Sequence, residues 1–264
     1  MARGSLLLVV GIRLALAFGP RPAHVTAAAR EINVAAAADL STALPEIAHA
    51  FGTTNGIEVK LSFAASGAIT QQIENGAPFD VFLSADMGYP QQLVAEHKAD
   101  AATLRHYATG QLVLWTQSES PLDLDRVGMN VLLDRTVKKI AIANPQHAPY
   151  GRAAVAALKH YGLYDKVRDR LVIGENVTQA AQFVESGNAQ VGLVALAHAL
   201  APAVKAKGKY WKVPGDAYPP LAQGAVVTAQ SAHPAEAADF VKYLNSPGAV
   251  AVFEHYGFSA SAQK

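Results

Sequence analysis

KKIAIANPQHAPYGRAAVAALKHYG, residues 138–162, holds a strand, a turn and a helix in one run. KKIAIAN (138–144) reads as a buried strand. Pro145 and Pro149 interrupt it, and Val155, Leu158 and Tyr161 then return at helical spacing before Gly162, a left-handed C-cap. Tyr150 and Gly151 therefore fall on a first helical turn, where backbone N–H groups lack a partner within the helix. Pro149, with no N–H of its own and a preset φ, suits the entry to that turn.

The same alternation runs along the chain. EINVAAAA (31–38), IEVKLSF (57–63), DVFLSAD (80–86), GQLVLWTQ (110–117), RLVIGEN (170–176), AQVGLVALA (189–197) and AQGAVVTAQ (222–230) read as strands, and most lead into helical periodicity. Leu40, Leu44, Ile47 and Phe51 mark one such helix, and Asn176 with Gln179 forms a capping-box pattern at another. Asp86 is placed to cap a helix through Val94. Strands alternating with helices predict an α/β architecture with mostly parallel sheets. The strand signal is spread too far for one core. It predicts two lobes, residues 30–110 plus 226–264 and residues 111–225, with crossings near 107–117 and 222–230.

Residues 1–29 combine a basic start, an apolar stretch and a small-residue exit, the pattern of a secretory signal peptide. Without them the chain keeps 19 Lys and Arg against 21 Asp and Glu, a net charge of −2, so no basic stripe speaks for nucleic acid. There is no cysteine, which excludes disulfides, thiolate catalysis and cysteine zinc sites. An exported, cysteine-free chain is expected in a periplasm.

Four turns share one form: AAAADLST (35–42), SFAASGAI (62–69), ANPQHAPYGR (143–152) and GENVTQA (174–180). Each ends a strand, carries a hydroxyl or amide residue and opens a helix. Helix N-termini attract anions through free N–H groups and the helix dipole. Each alone is an ordinary capped helix; together they can converge on one small anion. A hydrogen bond to a charged group contributes about 1.5–3 kcal/mol. Several such bonds exceed the ~12 kcal/mol of nanomolar binding with no fixed cation.

Enzyme motifs do not appear: there is no G-x-S-x-G, H-E-x-x-H, Walker A or G-x-G-x-x-G after a strand. His147 reads as an exposed loop residue, Asp80 as a turn residue and Arg152 as a surface residue of its helix.

ASGAITQQIENGAPFDVFLSAD (65–86), QLVLWTQ (111–117), KKIAIANPQHAPYGRAAVAALKHYGLYDKV (138–167) and GENVTQAAQFVESGNAQVGLVAL (174–196) resemble the periplasmic molybdate-binding proteins of ABC importers. The likeness runs from about Ile32 to Phe258. It implies a type II periplasmic-binding-protein fold, two mixed-sheet lobes joined by crossing strands and closing on tetrahedral molybdate or tungstate. Carried across, the family's first ligand turn falls on Ala38 and Asp39 and its serine hydroxyl on Ser66. Tyr150 takes the place of a backbone N–H or phenol donor, and Val177 that of a further backbone donor. A tyrosine used by some members falls on Ala195, so that phenol is missing and Tyr150 is expected to replace it. The resemblance further implies a monomer that delivers its anion to a membrane permease, without cofactor, catalysis or a metal other than that of the bound molybdate.

Asp39 departs from the family, which carries serine or asparagine there. A carboxylate 4 Å from a dianion costs about 8 kcal/mol at an effective dielectric of 20. Asp39 is therefore expected to offer its backbone N–H and to turn its carboxylate away, capping its own helix. Rival ligands are phosphate and sulfate, or an organic acid, which calls for an arginine fork. An exported enzyme on the same bilobal fold is the rival of another class.

Overall fold

The computed structural model describes Met1 and residues 30–260; the expected signal peptide lies outside the described residues. The chain opens with β1 (Arg30–Ala37), a 3-10 turn (Ala38–Ser41), α1 (Leu44–Asn55), β2 (Ile57–Ala64), α2 (Ser66–Glu74), β3 (Val81–Ser84), α3 (Gly88–Ala95) and β4 (Arg105–Gly110). It continues through β5 (Leu112–Gln117), α4 (Leu124–Val127), β6 (Ile140–Ala143), α5 (Pro149–His160), α6 (Tyr164–Val167), β7 (Leu171–Gly174), α7 (Val177–Glu185), β8 (Val191–Ala195), α8 (Leu196–Leu200) and β9 (Gly208–Lys212). It closes with β10 (Leu221–Val227), α9 (Pro234–Tyr243), α10 (Pro247–His255) and β11 (Ser259–Ala260).

Two mixed sheets result, ordered β11-β4-β10-β3-β1-β2 and β7-β6-β8-β5-β9. β1 runs parallel to β2 and β3, and β6 runs parallel to β7 and β8. Antiparallel pairing enters at β10 and β5, the strands beside the two crossings. The strand expected over 110–117 is β5 from Leu112 on; Gly110 ends β4 in the other sheet, and the chain passes between the sheets at Gln111. The Gln111 carbonyl accepts from Leu196 N–H at 2.9 Å, which keeps this corner hydrogen-bonded. The lobe boundary expected between 225 and 226 falls inside β10. Leu221 to Ala225 already pair with β4 in the first sheet, so the return crossing lies between β9 and β10.

The first sheet is covered on both faces. Phe51 of α1 and Phe240 of α9 meet edge to face at 5.1 Å on one side, while Ile69, Ile73 and Leu93 of α2 and α3 fill the other. The second lobe's core is built on Leu114, Ile142, Leu158, Val184 and Leu193. That core continues without a break into Ala37, Ala38, Ala65 and Ala85 of the first lobe, so the cleft is shut. No helix among the described residues is long and apolar enough to cross a membrane.

Asp80 does more than turn the chain. Buried ahead of β3, it accepts from Asn33 N–H at 2.7 Å, Ser231 Oγ at 2.7 Å, Ala232 N–H at 3.0 Å and His233 N–H at 3.3 Å. One carboxylate thus ties β1, β3 and the entry to α9 together. Asp80→Ala should cost at least about 3 kcal/mol, because it strands several donors at once. In a domain of this size that is a fall in melting temperature on the order of 10 °C, readable by circular dichroism. A loss under about 1 kcal/mol would mean that water replaces the carboxylate.

Candidate functional site

The parallel strands β1, β2 and β3 of one lobe and β6 and β7 of the other deliver their C-terminal ends to the interface, the usual ligand position in open α/β sheets. The residues following them line a small cavity of about 10 Å³, roughly the room of one water. The walls are Ala37, Ala38 and Asp39, then Ala64, Ala65 and Ser66, then Ala148, Pro149 and Tyr150, then Asn176 and Val177, with Ala85 after β3. All four turns singled out in the sequence are therefore in one place. Ala38, Asp39, Ser66, Tyr150 and Val177 line the cavity together; Ala195, buried at the end of β8, does not. In this shut state the cavity is far below the ~300–1,000 Å³ that a drug-sized ligand needs. A larger open groove of about 630 Å³ lies between α1 and β2, a surface depression where no helix N-termini converge.

Each wall has a local reason. Ser66 opens α2, and its Oγ accepts from Ala85 N–H at 3.0 Å, which leaves the hydroxyl hydrogen free to donate. Pro149 and Tyr150 open α5 as expected. Gly151 serves another purpose than expected: its N–H donates to Ala148 O at 3.0 Å, and a Cβ there would lie 2.8 Å from Asn144 O. It is glycine so that α5 can pack on the end of β6. At α7 half of the expected capping box forms, with Gln179 N–H donating to Asn176 Oδ1 at 3.0 Å, while Gln179 Oε1 accepts from Glu175 N–H at 2.6 Å, one residue before the N-cap. Val177 is thereby held at the head of its helix.

Asp39 corrects its expectation in one respect. Its carboxylate does not cap the 3-10 turn, whose N-cap position is Ala37 with no side-chain bond. Oδ2 instead accepts from Gln223 Nε2, and Gln223 Oε1 accepts from Tyr107 Oη at 2.7 Å. Asp39 Oδ1 and Tyr150 Oη are both buried without a well-formed hydrogen bond, although they lie close enough to interact. Burial pushes the Asp39 carboxyl up to about 6, against the pull of Gln223, Tyr150 and its own backbone. Burial first, then the Asp39 charge, holds the Tyr150 and Tyr107 phenols well above their usual range. The Tyr150 hydroxyl sits against Gly110 and Gln223 at the crossing, where a Cβ on residue 110 would have no room. Tyr150 thus presents its helix N-terminus to the cavity and its phenol to the hinge.

Several contacts across the cleft escaped the sequence reading. Gly67 N–H donates to His147 O at 2.8 Å, and Thr178 Oγ1 donates to Ala38 O at 2.9 Å. Arg152 pairs with Asp86, bonds Tyr89 Oη at 3.0 Å and stacks its guanidinium 5.2 Å from the Tyr89 ring centre. Arg152 was expected to serve its own helix surface, yet it bridges the two lobes. Asp86 accepts from Tyr89 N–H at 3.2 Å, so it caps α3 and holds Arg152 at once. Partners 63–140 positions apart carry no local signal. Among the described residues, Asp39 is the one charged side chain lining the cavity.

Residues 32–259 match the family described as bacterial extracellular solute-binding protein. The chain is 40% identical over 246 residues to the molybdate-binding protein ModA of Azotobacter vinelandii, covering 93% of this chain and 96% of that one. It is 36% identical over 254 residues to the ModA of Rhodobacter capsulatus, covering 96% and 94%. The solved Azotobacter vinelandii periplasmic molybdate-binding protein superposes with a TM-score of 0.82 at 37% identity, over 88% of this chain and all of that one.

The raised Asp39 carboxyl also sets a stability dependence on pH. Its folded value, about 6, lies above the ordinary 3.8, so the folded state binds its proton more tightly. The contribution is present in full below about pH 3.8 and is lost as pH rises through about 6. At 1.36 kcal/mol per pH unit, the unliganded protein should lose on the order of 3 kcal/mol across that window. Asp39→Asn should remove this component, which melting curves of both proteins from acid to neutral pH will read. Parallel pH profiles would show that the carboxyl titrates normally.

Proposed function

The chain belongs to the molybdate-binding members of the bacterial extracellular solute-binding proteins, and from that premise we propose how it holds its anion. It is a molybdate-binding component of an ABC importer, built to capture a tetrahedral oxyanion between two lobes. The observation that carries the binding mode is the meeting of four helix-opening turns on one small cavity whose walls hold no fixed cation among the described residues. Ser66 Oγ–H and the N–H groups of Ala38, Asp39, Tyr150 and Val177 are the donors of this reading. They bond the oxygens of the ion and not its metal atom. Tungstate, with the same shape and charge, is a second ligand. The protein acts as a monomer in the periplasm, catalyses nothing, and hands its cargo to a membrane permease.

Neutral donors are sufficient for such a ligand. Backbone N–H groups at helix starts bring partial positive charge without a mobile side chain, and enclosure strengthens each bond by lowering the local dielectric. Sulfate has the same charge on a smaller tetrahedron, so a shut cavity with donors on rigid elements can discriminate by size.

Molybdate and tungstate should each raise the melting temperature, and sulfate should not. At 100 times its dissociation constant a ligand adds about 2.7 kcal/mol. Identical melting curves with and without both metal oxyanions would end this reading. Ser66→Ala should weaken molybdate binding by about 1.5–3 kcal/mol in calorimetric titration, since it removes one donor to a charged ligand. Tyr150→Phe keeps the backbone N–H and should cost less than Ser66→Ala. A larger loss from Tyr150→Phe would assign the phenol to the ligand.

A further inference from the structure

A buried carboxylate in the wall of an anion site is a contradiction that one proton resolves. Asp39 is buried and lines the cavity, its Oδ2 held by Gln223. Gln223 Oε1 accepts from Tyr107 Oη at 2.7 Å, and in this orientation the amide turns its N–H side to Asp39. Oδ1 is buried without a well-formed hydrogen bond, beside the Tyr150 phenol. The groups that face the carboxyl are neutral: the Tyr107 phenol from β4, the Tyr150 phenol from α5 and the Gln223 amide from β10. The segments β1, β2, α1, α7 and α8, which also pack on this turn, add no charged partner to it among the described residues. A dianion entering the cavity therefore meets a negative charge with no cation to offset it.

We infer that Asp39 is a specificity-determining residue that takes up one proton from solvent, on Oδ1, as the oxyanion binds. This rests on the proposed function, since it needs an anion in that cavity. The charge balance is simple: carboxylate, proton and dianion become a neutral carboxyl and a bound dianion. The proton ends on the protein, so the repelling wall becomes an O–H donor while Oδ2 still accepts from Gln223. The carboxyl already holds its proton more tightly than an exposed one, which lowers the cost of that uptake. Such a site favours an oxyanion fully deprotonated at neutral pH. An ion that brings its own proton would need the carboxylate as an acceptor.

Calorimetric titration of the protein with molybdate, between about pH 6.5 and 8.5, in buffers of different ionisation enthalpy, counts the protons. The expected wild-type result is uptake near one proton per molybdate and an affinity that falls about tenfold per pH unit above neutrality. Asp39→Asn should bind with no proton uptake, a flat pH profile and higher affinity than wild type at the alkaline end. The proton count on the wild type needs no variant, so a poorly folding Asp39→Asn leaves the inference testable. Tight wild-type binding with a flat profile and no uptake overturns the inference and leaves the proposed function standing. Weaker binding by Asp39→Asn at every pH, in a folded variant, also overturns it and makes the carboxylate an acceptor. Absence of molybdate binding by wild type at any pH overturns the proposed function, and the inference falls with it.

Discussion

Closure of the cleft turns on one backbone hydrogen bond, from Gly67 N–H to His147 O at 2.8 Å. It brings the head of α2 in one lobe within bonding distance of the turn before α5 in the other. No side chain fits in that approach: a Cβ on residue 67 would lie 2.6 Å from Tyr89 Oη and 2.9 Å from His147 O. With the two helix heads fixed together, Ser66 and Tyr150 face one space, and the rest of the site follows. Thr178 on Ala38 and Arg152 on Asp86 and Tyr89 then hold the flanks.

Small side chains are the second condition. Ala37, Ala38, Ala64, Ala65, Ala85 and Ala148 line the cavity, so backbone groups, rather than side chains, form most of its walls. Backbone donors on packed helices lose little entropy when they bind, unlike a lysine or arginine that must be immobilised. Ala37, Ala38, Ala65 and Ala85 also join the second lobe's core to the first, so cavity wall and lobe contact share one layer of atoms. Asp39 stands out in this setting. Its link through Gln223 to Tyr107, with the Tyr150 phenol beside Gly110, couples the cavity floor to the strand that crosses between lobes.

Where physics is local, sequence reading succeeded. The Asn176–Gln179 cap, the Pro149 helix start, and the strand-to-helix turns at Ser66 and Val177 depend on residues a few positions apart. Register failed where geometry changed without a change of composition. The crossing near 107–117 was expected, but one polar residue, Gln111, does not by itself show that the chain changes sheets there. The glycine at 151 read as a donor position and is a packing requirement, because the atoms that exclude a side chain belong to the preceding strand end.

Strand order, by contrast, cannot be read from periodicity. β10 lies between β3 and β4, and β8 between β5 and β6, because non-local pairing is chosen by whole-sheet packing. The sequence by itself determined the α/β alternation, the four donor-rich turns, and the presence of an acid in the first of them. Only the tertiary structure decided that those turns share one cavity and that Arg152 spans the cleft. It also decided that Asp39 faces Gln223, 184 positions away, instead of its own helix. Local rules set what each turn can donate. The orientation of a buried carboxylate is set by whichever distant donor removes the larger desolvation cost, and that donor exists only once both crossings are in place.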